Sequence, residues 1–149
     1  MGRGTELLNT STLNAAFIET REEFLNLIWI SITDVRFLAP EGESRTLQSI
    51  VNRFETSKVT FEELASDSAR PDLERSPNWF ARCVEIANEF DWLRFGELEL
   101  RCGNSQELAE SPAGSWYIHG GNHRAIVAAV LVSRNMVPWQ PIRWLERQG

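Results

Sequence analysis

The chain has 149 residues, of which 42% are hydrophobic and 24% charged, and its formal net charge is −6. This length and composition predict one globular domain with a sizeable core, and the acidic balance argues against a protein that coats nucleic acid. Cys83 and Cys102 lack a metal-type spacing, no apolar run is long enough to cross a membrane, and the first residues lack the apolar core of a signal peptide. We therefore expect a reduced, cytoplasmic protein with no membrane partner.

The first part of the chain predicts a helix followed by a strand. Residues 13–28 place their apolar side chains on one stripe, with acids opposite, as an amphipathic helix does. The stretch "IWISITDV", residues 28–35, alternates in the manner of a strand, with Ile28 and Trp29 on opposite faces. The turn "APEGES" follows this strand.

Three helices are predicted next. Ser44 is a candidate N-cap for the first, whose core face at helical spacing consists of Leu47, Ile50, Val51 and Phe54. Phe61–Ala65 forms a shorter helical piece. Ser76 followed by Pro77 indicates the start of a third helix, whose predicted core face consists of Trp79, Cys83, Ile86, Ala87 and Phe90.

The remaining elements complete a small sheet. "ELELRC", residues 97–102, alternates as a half-exposed strand, and "WYIH", residues 116–119, is a short strand. Residues 124–134 are apolar nearly all round and predict a buried helix. Residues 137–146 are extended and contain two prolines, which favours a sheet edge. The fold class is therefore α/β (α+β), a small mixed sheet with flanking helices.

Both histidines of the chain lie in "SWYIHGGNHRAIVAAVLV", residues 115–132. Gly120 and Gly121 permit a positive φ and the close approach of a ligand to the backbone. Asn122 is a candidate N-cap for the following helix. The N–H groups and dipole at a helix start favour an anion.

His123 and Arg124 sit in the first turn of that predicted helix, where they can reach an anion. A cation there is slightly unfavourable, by about 0.3–1 kcal/mol at an exposed site, unless an anion is held as well. The turn therefore indicates an anion site. The alternative is an ordinary strand-to-helix turn, with His119 bonded in the sheet or pointing to the core and Arg124 on the surface.

The last thirty residues resemble a family signature. "WYIHGGNHRAIVAAVLVSRNMVPWQPIRW" is similar to the second signature of the ParB/sulfiredoxin superfamily, which has a strand, a Gly-x-x-Arg turn, a helix rich in Ala and a Val-Pro entry into the last strand. "IWISITDVRFLAPEGES" is similar to the first signature. The resemblance implies a ParB/sulfiredoxin-like domain at 28–149, preceded by an N-terminal helical extension at 1–27.

The resemblance also implies a function. In this family the turn binds nucleotide phosphates, which assigns ATP or CTP to Gly120, Gly121, Asn122, His123 and Arg124. Phosphoryl transfer or nuclease activity would have His123 and Arg124 bind and polarise the phosphate, and Glu41 or Glu43 act as the catalytic base. Mg²⁺ would be held by Asp34, Glu41 or Glu43. The alternative for each of these acids is a solvated loop carboxylate.

The sequence departs from the family pattern at several points, and these differences exclude some of the family's functions from the expectation. Asn122 stands where sulfiredoxin has the cysteine of its Gly-Cys-His-Arg turn, so cysteine-based repair of sulfinic acid is not expected. Cys83 and Cys102 lie on predicted apolar faces, where thiols are usually buried and inert. No helix-turn-helix follows the domain in the sequence, so operator binding is not expected.

Three classes of function stay open. The first is a phosphoryl-transfer enzyme or small nuclease of a bacterium, plasmid or phage, with nucleic acid as a partner. The second is a non-catalytic nucleotide-binding module. The third is an interaction protein that inhibits a protein partner and keeps only the fold. Trp139 and Trp144 would form its partner surface if exposed, and core packing is the alternative for both.

Overall fold

The structure is a computed structural model that describes residues 17–29, 45–66, 77–102 and 116–146. In chain order these residues form β1 (Phe17–Ile18), α1 (Arg21–Leu25), α2 (Leu47–Ser57), α3 (Phe61–Ala65), α4 (Pro77–Asn88), α5 (Trp92–Phe95), β2 (Leu98–Cys102), β3 (Trp116–Gly120), α6 (Asn122–Ser133) and β4 (Ile142–Glu146). The predicted class is confirmed, since helices flank a small mixed sheet.

The sheet has the strand order β1-β4-β2-β3. β2 pairs with β3 antiparallel and with β4 parallel, while β1 pairs with β4 antiparallel. β4 is therefore an inner strand, and its predicted place at the edge is wrong. Pro138 and Pro141 precede the strand, so their missing N–H groups remove no hydrogen bond from its ladder.

α6 lies at the centre of the fold, as its uniformly apolar sequence predicts. It packs against both α2 and α4, and every residue from Ala125 to Val132 is buried. The sequence of this helix therefore defines the core, and only its first turn and its last residue, Ser133, are half-buried. No helix among the described residues is long and apolar enough to cross a membrane.

α2 has the predicted core face, because Leu47, Ile50, Val51 and Phe54 are all buried. Its N-cap, however, is Thr46 and not Ser44: the Thr46 hydroxyl accepts a hydrogen bond from the Ser49 N–H at 3.2 Å. A threonine oxygen caps a helix by satisfying one of its free N–H groups.

α4 begins at Pro77 as predicted. Trp79 and Cys83 are buried, and the remaining predicted core residues, Ile86, Ala87 and Phe90, are partly buried against the core. Phe80 is fully buried as well, which the predicted face does not include. α4 packs against both α3 and α6, so adjacent aromatic residues of this helix can both be covered.

The predicted single helix over residues 13–28 is wrong in its described part. The chain forms β1 and then the short helix α1, and Thr20 caps α1 in a reciprocal pair of hydrogen bonds with Glu23. A threonine followed three residues later by a glutamate is the sequence pattern for such a helix start. Phe24 and Leu27 then enter the same core as α6.

The predicted strand at residues 28–35 is described only at its first two residues. Ile28 forms single bridges to Thr46 and Tyr117. Ile28 packs with Tyr117, whereas Trp29 lies in the main core, so the two neighbours face opposite sides as the alternation predicts. Both sides are covered, and both residues are buried.

Candidate functional site

The turn between β3 and α6 requires glycine at one position. Gly121 has a φ of +101° and is the N-cap of α6. A Cβ at this residue would lie 2.7 Å from Leu98 Cδ2 and 2.8 Å from Arg124 Nε. Any larger residue at this position is disfavoured both by the backbone conformation and by the close packing around Gly121.

The start of α6 receives no side-chain cap. The predicted N-cap, Asn122, is instead the first helical residue, and its Nδ2 donates to the Ile118 carbonyl at 3.2 Å. The true cap, Gly121, has no side chain to accept a hydrogen bond. An α-helix leaves the N–H groups of its first turn without acceptors within the helix, so this end of α6 favours an anion.

Arg124 is half-buried and joins the turn to the segment between α5 and β2. Its guanidinium donates from Nη1 to the Phe95 carbonyl and from Nη2 to the Glu97 carbonyl. Its Cζ lies 5.4 Å from the centre of the Phe95 ring. Burial lowers the pKa of Arg124, and the carboxylates of Glu99 and Glu97 oppose that shift. Arg124 is therefore not a free surface residue, because its guanidinium already donates hydrogen bonds to two backbone carbonyls.

His123 is held against an aromatic ring. Its imidazole lies on the Trp79 indole, with ring centres 4.2 Å apart and 30° between the planes. Burial lowers the pKa of His123, and the positive charge of Arg82 lowers it further. The structure therefore favours the neutral imidazole.

His119 does not point toward the core. Its side chain is exposed, although the three residues before it in β3 are buried. The expectation of an inward His119 is therefore wrong. The imidazole that is covered at this turn is that of His123, which packs against Trp79.

A groove of about 620 Å³ lies between α4, α5 and the start of α6. It is called the arginine groove below, because each of these helices contributes one arginine. Its charged lining consists of Arg82, Arg94, Arg124, Glu85, Glu89 and Asp91. Ile86 of α4, Phe95 of α5 and Phe90, between the two helices, form the rest. The groove thus combines apolar surface with equal numbers of positive and negative side chains.

Glu99 is a carboxylate at the turn that the sequence analysis missed. It pairs with Gly120 in the β2–β3 ladder, and a Cβ at Gly120 would lie 3.1 Å from its Oε1. Its charge also acts on Arg124. The alternation in β2 already predicted that Glu99 and Leu98 face opposite sides of the sheet. Because consecutive strands usually pair, a predicted hairpin register between β2 and β3 would have placed Glu99 beside the turn.

The other site residues proposed from the sequence divide into two groups. Gly120, Gly121, Asn122, His123 and Arg124 lie together at the turn. Asp34, Glu41 and Glu43 lie outside the described residues. Within the described ranges, no three His, Cys, Asp or Glu side chains converge to hold a metal ion. Mg²⁺ binding therefore stays a prediction, and no chemical step is derived through it.

Trp139 and Trp144 do not form an exposed partner surface. Trp144 is buried, with its ring centre 5.2 Å from that of Trp116. Trp139 is half-buried, and its indole N–H donates to the Glu19 carbonyl at 3.2 Å. Core packing, the alternative for both residues, is correct.

Comparison of the chain with models of protein families, with curated proteins and with solved structures finds no match. The similarity to the ParB/sulfiredoxin superfamily therefore stays a prediction drawn from its signature residues.

Proposed function

We propose that the protein binds a nucleotide through a phosphate group at the start of α6. The observation that carries this proposal is the uncapped end of a twelve-residue helix at Gly121, beside the guanidinium of Arg124. The N–H groups and the positive end of the helix dipole stabilise an anion at such a position. A glycine turn also lets the phosphate approach the backbone closely.

The contacts of Arg124 with the protein hold its guanidinium in position to bind a phosphate. A guanidinium has five N–H donors, and the carbonyls of Phe95 and Glu97 accept from two different nitrogens. The remaining donors are held in a fixed place next to Gly121. A ligand that meets a fixed guanidinium does not bear the entropy cost of ordering a long side chain.

The arginine groove provides room for the rest of the ligand. Its volume of about 620 Å³ lies within the range of about 300–1,000 Å³ that is usual for small-molecule sites. Phe90 and Phe95 contribute apolar lining, which suits a base or sugar ring. A phosphate at the turn and a nucleoside in the groove would thus be adjacent.

The proposed chemistry, if the protein is an enzyme, is phosphoryl or phosphodiester transfer without a cysteine intermediate. Cys83 is fully buried, and burial raises the pKa of its thiol well above the ordinary value. Cys102 is exposed, contrary to the expectation of a buried thiol, but it lies at the end of β2 away from the turn. Phosphoryl transfer needs mainly positioning and charge stabilisation, which Arg124 and neutral His123 would supply.

Titration with AMP, CMP, ATP and CTP, with and without Mg²⁺, tests the binding proposal. Arg124→Ala should weaken binding about 10- to 100-fold, the range expected for the loss of a charge-assisted hydrogen bond. Arg143→Ala is the matched control, because Arg143 is exposed and lies outside the arginine groove. Equal affinity in the parent and in Arg124→Ala would contradict the proposal. Turnover of a bound nucleotide, or nicking of DNA, separates an enzyme from a non-catalytic module.

One observation favours a protein partner as a second candidate function. Leu93 on α5 is 93% exposed, and it lines a second cavity of about 350 Å³ together with Phe17 and Ile142. Leu93 and Phe17 are exposed while Ile142 is buried beneath them, and exposed apolar side chains that share a cavity are typical of contact surfaces. Leu93→Asp should abolish binding to such a partner while leaving nucleotide binding unchanged.

A further inference from the structure

We infer that the cavity beside Leu93 is the contact surface between two copies of this chain, related by a twofold axis, with Leu93 of each copy inserted into the cavity of the other. The inference rests on the second candidate function, since it names the protein partner. It is independent of nucleotide binding, because Phe95 is the one described residue that lines both this cavity and the arginine groove.

Exposed apolar side chains are concentrated around this cavity. Among the described residues, the exposed large apolar side chains are those of Phe17, Leu93, Met136 and Leu145. Phe17 and Leu93 line the cavity, as does Arg143. Leu145 lies two residues beyond Arg143 on β4, and alternation places both on the same face of the sheet, where both are exposed. Three of the four side chains therefore share one surface, which is typical of a protein contact.

Leu93 and the cavity match each other in shape. Leu93 is 93% exposed, so it borders the cavity without filling it. Phe95 and Ile142 also line the cavity and are buried, so an apolar side chain that enters it meets apolar surface. A twofold contact uses the same patch on both copies and therefore needs a projecting group and a matching recess side by side. Leu93 and the adjacent cavity meet this requirement.

The charges at the cavity also suit a second copy. Glu97 and Arg143 are the charged residues among its described lining, and Arg143 Nε lies 3.8 Å from Glu97 Oε2 at the protein surface. This patch is therefore neutral, although the chain has a net charge of −6. Two copies meet there with less repulsion than over an acidic surface. A twofold arrangement also lets each Arg143 face the Glu97 carboxylate of the other copy.

Sedimentation velocity of the full chain tests the inference. The parent should pass from monomer to dimer within the range of about 1 μM to 1 mM, which covers both tight and weak association. Leu93→Asp should weaken the dimer at least about 100-fold, because each dimer would bury two unpaired carboxylates. Met136→Asp is the matched control, since it adds the same charge at an apolar side chain that is 66% exposed and lies outside the cavity. It should dimerise as the parent does.

A pair of charge reversals tests the twofold arrangement itself. Arg143→Glu leaves two acidic residues at the patch of each copy, and Glu97→Arg leaves two basic ones. Each variant alone should dimerise more weakly than the parent, because like charges then face each other. An equimolar mixture should form heterodimers more tightly than either variant forms homodimers, since both contacts between the copies become attractive.

The outcomes distinguish this inference from the proposals on which it builds. A parent that stays monomeric up to about 1 mM would overturn it, and binding of a different protein through Leu93 would then leave the second candidate function standing. A dimer that Leu93→Asp leaves intact, or that Met136→Asp weakens equally, would overturn the role of the cavity. The absence of a gain on mixing the two reversals would overturn the twofold pairing. Nucleotide titration of Leu93→Asp tests the arginine groove separately, because this substitution leaves the residues of the groove in place.

Discussion

His123 packs against Trp79 with its ring tilted by 30° and with 4.2 Å between the ring centres. The contact joins the first turn of α6 to α4, two elements that also pack through their buried residues. It covers one face of the imidazole and favours its neutral form. His123 is therefore part of the packing at the site and not only a group aimed at a ligand.

Stability should depend on pH through His123. Burial lowers the pKa of this imidazole in the folded protein, so below about pH 6.5 the unfolded chain binds more protons than the folded one. The free energy of unfolding should therefore fall as the pH drops from about 6.5 through the lowered pKa. Thermal melts between pH 7.5 and 5 should show a smaller loss of Tm in His123→Gln than in the parent.

The matched control for that measurement is His119→Gln. This variant removes the other imidazole of the turn, from an exposed position, and so separates the effect of the covered imidazole from that of losing any histidine. Identical pH dependence in the parent and in His123→Gln would contradict the account of the Trp79 contact.

The two glycines of the turn should respond differently to substitution. Gly121→Ala should lower the free energy of unfolding by at least about 1–3 kcal/mol, the usual cost of a positive φ, because Leu98 also blocks the new Cβ at 2.7 Å. Gly120 has no positive φ, and its nearest contact is the flexible end of Glu99 at 3.1 Å. Gly120→Ala should cost less than about 1 kcal/mol. Urea denaturation measures both, and equal losses would be inconsistent with this geometry.

Arg124 should contribute to stability as well as to binding. Arg124→Ala removes the donors to the Phe95 and Glu97 carbonyls, and should cost about 1.5–3 kcal/mol. Arg124→Lys should recover little of this loss, because an ammonium lacks the planar fork of donors. Arg143, whose pair with Glu97 is exposed at 3.8 Å, should contribute about 0–1 kcal/mol. A larger loss of unfolding free energy in Arg143→Ala than in Arg124→Ala, measured by urea denaturation, would contradict this role of Arg124.

The two thiols should differ in reactivity. Cys102 is exposed, whereas Cys83 is fully buried with a raised thiol pKa. A disulfide reagent should therefore label one thiol rapidly in the native protein and the second only on unfolding. Cys102→Ser should remove the rapid phase. Two rapid phases in the native parent would show that Cys83 is accessible.

Patterns within short stretches predicted the elements around the site. The apolar run of α6, the alternation of β2 and the two glycines before α6 depend on residues near one another in the chain. The periodicity of apolar residues and the residue types typical of turns are sufficient to predict such features. The fold class and the helix of the site were predicted correctly for this reason.

Contacts between distant residues were not predictable in the same way. Arg124 meets carbonyls 29 and 27 residues earlier in the chain, and Phe17 pairs with Arg143 across the sheet. No local pattern specifies which backbone carbonyl a guanidinium reaches. The N-cap was assigned to Asn122 for a different, local reason: Gly121 takes the cap position with a positive φ, and the Asn122 amide donates to the Ile118 carbonyl instead.

The most direct measurement of the central claim is a titration of ¹⁵N-labelled protein with AMP, followed by the backbone amide signals. The account predicts saturable shifts concentrated at Gly121, His123 and Arg124 and along the arginine groove, and their loss in Arg124→Ala. Shifts confined to the cavity beside Leu93, or no saturable shift at the start of α6, would contradict the claim that this helix end holds a phosphate.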